Sequence, residues 1–537
     1  MNLITDAWIP VRRRDSQERE LIRPYEIVER LEDDPFVRVD STRPDFNGAL
    51  TQFLIGIIQT VMTPVDEVEW VERFIDPPST EELQQVMEPI SKFFELEGTS
   101  IRFMQEVGME SGIKKTISSL LIDTPGASTI KDNTDHFIKR NRVEGMCEVC
   151  AATALYTLNT NAPKGGQGNF VSMRGGGPLT IIAMPDGEDG SFDTLWHTIL
   201  LNVLIKQDLK MTGCNDSLVS FDTMFPWVSS RRENQSEAIN ATARTINPLH
   251  AYWGMPRRTF LDAPEQRLGT CDICGKRDTP LFRTYESKPR GIFYGDSGIL
   301  HPLSPYRSNN EGLLLPVLPQ PGGFTYRHWP LYITSNDPLN PRPITLRVLD
   351  GHLRDLRQMN VELGASVKVF GYDMGDMKPR CWYEATMPYW LVPDEIRDVL
   401  VEYSSRLAEA AAQVARYTRS AVKEVWFSKE SKVKAEPDYV ETEFWDATED
   451  EFYQSVQSMI EALPSGDQDV LERWLATIGK VSLEVFDRYA DQVPLDSGGQ
   501  KDKIPRSIEA RNVLIRNNSG KKVRETILGL PGKKEKK

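Results

Sequence analysis

Residues 147–178 read CEVCAATALYTLNTNAPKGGQGNFVSMRGGGP, and the fold turns on this stretch. It opens on a C-x2-C knuckle, Cys147-Glu148-Val149-Cys150. A second knuckle, Cys271-Asp272-Ile273-Cys274, lies about 120 residues on. Four thiolates at tetrahedral corners satisfy zinc, and a two-residue spacer lets one turn supply two ligands. Gly275 suits a tight turn after the second knuckle. A closed four-cysteine set leaves no open coordination position, so the expected zinc is structural and staples distant parts of one domain. Coincidental or redox C-x2-C pairs are the competing reading. Cys214 and Cys381 stand alone and are expected to be buried small apolar residues.

Two glycine-rich runs follow the first knuckle, Lys164-Gly165-Gly166-Gln167-Gly168-Asn169 and Arg174-Gly175-Gly176-Gly177-Pro178. Neither is a Walker A loop, since no Gly-Lys-Ser/Thr follows. Neither opens a helix after a strand with G-x-G-x-x-G. Without a Cβ, such backbone can approach a ligand closely, a nucleic-acid groove being one candidate. A plain surface turn is the alternative.

Further out, Leu179–Ala183 and Val367–Phe370 read as strands, and Thr51–Met62 reads as a buried helix stopped by Pro64. Pro302 to Pro343 holds nine prolines and reads as irregular. The last third is helical. Ile396, Val399, Leu400, Tyr403, Leu407, Val414, Tyr417 and Val425 recur mostly at three- and four-residue spacing. Thr448-Glu449-Asp450-Glu451 reads as a capping box before the stripe Phe452, Val456, Met459, Ile460. A third helix carries Leu471 to Phe486, and a fourth starts near Pro505 and runs through Ile508, Val513 and Leu514. Glu436 to Glu451, with eight carboxylates, reads as a solvated loop, and Lys521 to Lys537, with seven basic residues, as a frayed tail. The expected fold is α+β. A large mixed N-terminal domain (1–380) carries the four-cysteine zinc site, and an all-α four-helix bundle (381–537) follows.

The chain has 537 residues, and its net charge of −14 follows from 64 Lys+Arg against 78 Asp+Glu. At 39% apolar and 26% charged, it reads as soluble and globular. The acidic balance argues against coating nucleic acid by bulk charge but leaves room for a local basic site. His136-Phe137-Ile138-Lys139-Arg140-Asn141-Arg142 sets cations beside an aromatic, which suits phosphate contact with base stacking. Lys288-Pro289-Arg290 is a second basic loop. No transmembrane run and no signal peptide are read, so the expected location is cytoplasmic, with reduced cysteines. The six histidines form no His-x-His or His-Glu-x-x-His motif, and no Gly-x-Ser-x-Gly elbow occurs. His328, between Arg327 and Trp329, reads as structural.

Taken together, these residues resemble the large-subunit (CasA) family of the type I-E CRISPR Cascade complex. The resemblance runs through Asn2-Leu3-Ile4-Thr5-Asp6-Ala7-Trp8-Ile9-Pro10-Val11, both knuckles, Asn161-Ala162-Pro163, the glycine loop, Met173–Pro178 and Gly371-Tyr372-Asp373-Met374. It implies a non-catalytic subunit of a crRNA-guided surveillance complex. Such a subunit reads a short motif, the PAM, beside the target in double-stranded DNA, helps start unwinding and R-loop formation, and recruits a helicase–nuclease in antiviral defence. The implied partners are the backbone, 5′-handle-binding and small subunits, the crRNA, target DNA and the helicase–nuclease. By this resemblance Gly165, Gly166, Gln167 and Gly168 enter the minor groove, and Lys288 is a lysine finger toward groove acceptors. Gly375-Asp376-Met377 aligns with the strand-splitting wedge. Here the chain departs from the family, with Asp376 where some relatives have glutamine; a carboxylate is unfavourable near phosphates, which points to Met377 as the inserted group. Phe137, with Lys139, Arg140 and Arg142, matches the loop that contacts the guide and a neighbouring subunit. A stand-alone zinc-dependent nuclease or hydrolase and a zinc-stapled scaffold that binds only proteins are the competing classes.

Overall fold

Pro44 fixes the first turn of a long helix, α1 (Pro44–Val61), which carries the apolar residues Phe46, Leu50, Phe53, Leu54, Ile57 and Ile58. The computed structural model describes residues 1–109, 111–126, 130–131, 142–166, 168–187, 190–228, 237–295, 298–375, 378–427, 437–462, 468–492 and 503–532. They divide into two compact units, residues 1–320 with 339–390, and residues 321–338 with 391–537.

In the first unit α1 is buried nearly all round, as its composition demands. Phe53 sits at its centre, edge-on to Trp8, Phe94, Phe103, Tyr156 and Trp253, with centroids 5.1–6.1 Å away. The opening motif belongs to this core. Asn2 Oδ1 accepts from the amides of Ile4 and Thr5, and Trp8 Nε1 donates to the Leu3 carbonyl at 2.8 Å.

Two three-stranded antiparallel sheets frame the candidate loops. The first contains β1 (Ile113–Thr116), β2 (Arg258–Leu261) and β3 (Thr284–Lys288), with β3 in the middle. Its register sets Lys288 opposite Arg258 and Tyr285 opposite both Leu261 and Lys115. The second sheet is a hairpin of β4 (Gly364–Gly375) and β5 (Lys378–Tyr389) with Thr180–Asp186 along the other edge of β4. Both strands read from sequence lie here and run longer than expected. The hairpin is tied down near its turn by Tyr372, whose hydroxyl donates to Asp45 Oδ2 at 2.7 Å. Arg43 pairs with both Asp45 and Asp123. Cys381 lies on β5 and is exposed, and Cys214 is only half-buried, so neither is the fully buried residue expected.

The second unit holds the expected helices, α2 (Asp394–Trp426), α3 (Asp438–Ala462), α4 (Gln468–Asp491) and α5 (Lys503–Asn518). Buried polar bonds cross between them. Trp474 Nε1 donates to the Leu407 carbonyl at 3.0 Å, and Ser482 Oγ meets Thr418 at 2.7 Å and Asn518 at 2.8 Å. Tyr326 stacks on Phe452 at 4.4 Å, and its hydroxyl lies 2.7 Å from Thr448 Oγ1.

Three expectations for this unit are corrected. The acidic block is helix from Asp438 on, because Val440, Phe444, Thr448 and Phe452 form a buried i,i+4 row beneath it. Thr448 is therefore mid-helix, and its hydroxyl bonds back to the Phe444 carbonyl at 2.8 Å rather than capping. Ile508 is 58% exposed; Ala510 and Leu514 carry the buried face of α5. In its described part, residues 521–532, the basic tail is packed rather than frayed, with Val523, Ile527, Leu528 and Leu530 buried and Arg524 paired with Glu472.

Candidate metal centre and nucleic-acid interface

Cys147 ends an extended segment and is the residue before the helix Glu148–Asn161, so Cys150 falls in the first turn of that helix. The facing knuckle is a tight turn. Gly275 donates to the Cys271 carbonyl at 3.0 Å with φ +76°, and Cys271 donates to the Lys276 carbonyl at 2.8 Å. Backbone bonds join the two knuckles directly. Met146 and Phe282 exchange amide–carbonyl bonds of 3.0 and 2.8 Å, and Asp272 donates to the Gly145 carbonyl. The Asp272 carboxylate then accepts from the amides of Glu144 and Gly145, each at 2.8 Å.

This framework brings the four Sγ atoms within 4.8 Å of one another. Cys147 and Cys274 Sγ lie 3.7 Å apart. Tetrahedral zinc with sulfurs at about 2.3 Å sets the sulfurs roughly 3.8 Å apart, so the cradle fits a metal ion of that kind. Hydrogen bonds with Cys147 and Cys150 hold Cys271 and Cys274 below the ordinary thiol value. Cys147, Cys150 and Cys271 are buried and Cys274 is exposed, so a bound ion would be shielded on most sides.

The same helix delivers the glycine loop. After Asn161 the chain leaves on an excursion whose base is closed by two bonds: Ser172 donates to the Ala162 carbonyl and Gly177 to the Asn161 carbonyl, each at 3.1 Å. Within it, Gly165 donates to Asn169 and Asn169 Nδ2 returns to the Gly165 carbonyl at 2.8 Å. Gly166 and Gly168 adopt φ of +82° and +80°, a region that other residues enter only with strain. Lys164, Gly165 and Gly166 are exposed.

Lys288 is the last residue of β3, so the strand hands its turn to this loop. The Arg290 amide donates to the Gly168 carbonyl at 2.6 Å. A Cβ on Gly168 would lie 2.9 Å from Pro289 Cβ. The two segments read separately in the sequence are thus one structural piece. Lys288 is half-buried, while Pro289 and Arg290 are exposed.

The second glycine run is neither ligand loop nor surface turn. Arg174 is fully buried and donates to Gln52 Oε1 at 2.6 Å, Thr180 Oγ1 at 2.9 Å and Ser304 Oγ at 3.1 Å. Burial draws its pKa down to about 10. Gly176 packs on Pro163, and Gly177, at φ +64°, packs on Tyr372 and Met374. The run therefore joins the root of the glycine loop to the β4–β5 hairpin. There Gly375 pairs with Lys378, and Arg380 Nη2 donates to Asp373 at 2.6 Å.

Gln167, Asp376, Met377, Phe137, Lys139 and Arg140 lie outside the described residues. Arg142 is exposed. Sequence reasoning missed Arg257, the buried guanidinium under Gly165; the Arg257-Arg258 doublet after Pro256 was its only signal. His197, His250 and His301 are buried and bonded to backbone carbonyls. His328 stacks on Phe324 at 4.5 Å.

A family model for CRISPR-associated protein Cse1 matches residues 2–485. Among solved structures, the chain is similar to Thermobifida fusca Cse1 (TM-score 0.70, 14% identity, 97% of each chain covered). It is also similar to Thermus thermophilus CasA (Cse1), with TM-score 0.66, 15% identity, and 96% of this chain and 99% of that one covered. A chain of a structure described as a CRISPR RNA-guided surveillance complex matches with TM-score 0.63 at 15% identity, covering 97% and 99%. At such identities the structures establish the shared fold, while the family model, spanning nearly the whole sequence, establishes membership: the chain belongs to the Cse1 (CasA) family, that of the type I-E Cascade large subunit.

Proposed function

We propose that this chain reads the PAM of double-stranded target DNA within a crRNA-guided Cascade complex, helps begin unwinding there, and recruits the helicase–nuclease. It works beside the other Cascade subunits and the crRNA and catalyses no reaction itself. One observation carries the reading: the Gly168–Arg290 bond locks the glycine loop to the turn bearing Lys288. A DNA groove meeting this surface would find bare backbone at Gly165 and Gly166 and a lysine beside it. Backbone N–H groups and a lysine ammonium suit minor-groove acceptors, which are N3 of adenine and O2 of thymine. Base pairing by the guide would read the remaining sequence, a division of labour known for other RNA-guided systems.

The Gly375–Lys378 end of the hairpin supplies the wedge in this reading. The Tyr372–Asp45 bond and the Arg43 pairs give it a stiff base. The cysteine cradle takes zinc, which fixes the helix that launches the glycine loop. Bound zinc supplies folding energy here, not chemistry.

The test is a reconstituted complex titrated with duplexes that carry or lack a PAM. Lys288→Ala should weaken binding of the PAM duplex by about 1–3 kcal/mol, with the melting temperature unchanged. Equal affinity for both duplexes in the wild-type complex would refute the reading. A parallel nuclease assay on the zinc-loaded chain separates it from a stand-alone nuclease: DNA cleavage would favour the enzyme.

A further inference from the structure

Arg257 lies directly beneath the glycine loop. One of its Nη2 hydrogens is given to the Pro163 carbonyl, at the loop's root. A Cβ on Gly165 would sit 3.0 Å from its Nη1 and 3.4 Å from its Nη2. The side chain is only 9% exposed, and its Nε is buried with no hydrogen-bond partner. Among the described residues it forms no ion pair with a carboxylate. Its neighbour Arg258, by contrast, is paired with Glu106 through bonds of 2.6 and 2.5 Å.

A buried guanidinium without an acid is costly, because desolvation is uncompensated. Burial draws Arg257 down to about 10. The nearby charge makes matters worse, since Lys115, on β1 across the central strand, is held below its ordinary value by burial and then by Arg257. Fold stability alone would favour a neutral side chain at 257. The charge sits directly under the bare backbone of Gly165.

We infer that Arg257 is a positioning residue for the glycine loop, fixing its root through the Pro163 carbonyl and lending the loop an uncompensated positive charge that favours bound DNA. This inference rests on the PAM-reading function proposed above. It also gives Gly165 a second reason to lack a side chain: a methyl group there would press on the guanidinium that supports the loop.

The distinguishing variants are Arg257→Gln, which keeps a donor and removes the charge, and Arg257→Lys, which keeps the charge. Both are assembled into the complete complex and titrated with PAM and PAM-free duplexes across a salt series, with thermal melts of each. Arg257→Gln is expected to lower PAM-duplex affinity about tenfold and to flatten its salt dependence, with a melting temperature equal to or above wild type. Arg257→Lys should recover most of the affinity. A purely structural arginine would give the opposite pair, a lower melting temperature with unchanged PAM affinity and salt slope, and that result overturns the inference. If Arg257→Gln falls in both affinity and melting temperature, recovery of affinity by Arg257→Lys upholds the charge role and failure to recover overturns it. Failure of the underlying function is separately visible, because the wild-type complex would then not discriminate PAM from PAM-free DNA.

Discussion

The amide of Arg290 donates to the carbonyl of Gly168 at 2.6 Å, joining two segments more than 100 residues apart in sequence into one surface. Gly168→Ala attacks that joint twice. Its φ of +80° is strained for alanine, and the new methyl would lie 2.9 Å from Pro289 Cβ. The expected local cost is about 1–2 kcal/mol, and PAM-duplex affinity should fall with it. Gly166→Ala shares the strain but has open space around its Cβ. In paired gel-shift titrations it should therefore lose less affinity than Gly168→Ala.

The cysteine cradle predicts one zinc per chain. Elemental analysis of the purified protein measures this directly. Cys147→Ser with Cys271→Ser should abolish the metal. Structural zinc contributes folding free energy, and at roughly 2–4 °C per kcal/mol a loss of several kcal/mol lowers Tm by about 10 °C or more. Full metal loss with an unchanged Tm would show that the ion does not staple the unit.

Thr448 offers a check on the bundle. Its hydroxyl is buried against Tyr326 and the Phe444 carbonyl. Tyr326→Phe should cost about 1–2 kcal/mol and leave α3 helical, as read by denaturant melts and circular dichroism. A loss of helix content would instead favour a helix start at Thr448.

Acid should destabilise the first unit through its buried histidines. His197 Nε2 lies 3.0 Å from the Phe74 carbonyl and Nδ1 lies 2.7 Å from Thr194 Oγ1; His250 is held similarly by Thr223 and Tyr294. Burial lowers both pKa values to about 4, from 6.5. The unfolded chain thus binds more protons between these values. Stability is fully present above pH about 6.5 and falls as pH drops toward 4, by about 3 kcal/mol per histidine. Thermal melts across that window should show the decline, and His250→Gln should reduce its slope.

Much of this was legible in the sequence where chemistry is local. The C-x2-C spacing pointed to the cradle, and the helices of the second unit followed from periodicity; the apolar run Thr51–Met62 marked α1 but not its start at Pro44, and Val367–Phe370 marked only the middle of β4. The start of α3 was hidden because eight carboxylates drew attention from Val440, Phe444 and Thr448, whose spacing already marked a buried row. Arg174-Gly-Gly-Gly-Pro looked like a ligand loop; only tertiary packing on Gln52, Ser304 and Tyr372 makes it an internal connector. Arg257 was illegible for the same reason. Nothing local says that a guanidinium will be buried without an acid.

The central claim is that the glycine loop and the Lys288 turn act together on the DNA. It is tested most directly by PAM-duplex affinity of reconstituted complexes carrying Gly168→Ala, Lys288→Ala, or both. The account predicts that each single variant weakens binding and that the double variant loses less than the sum, because disrupting either segment already displaces the other. PAM-duplex affinity equal to wild type in all three complexes would contradict it.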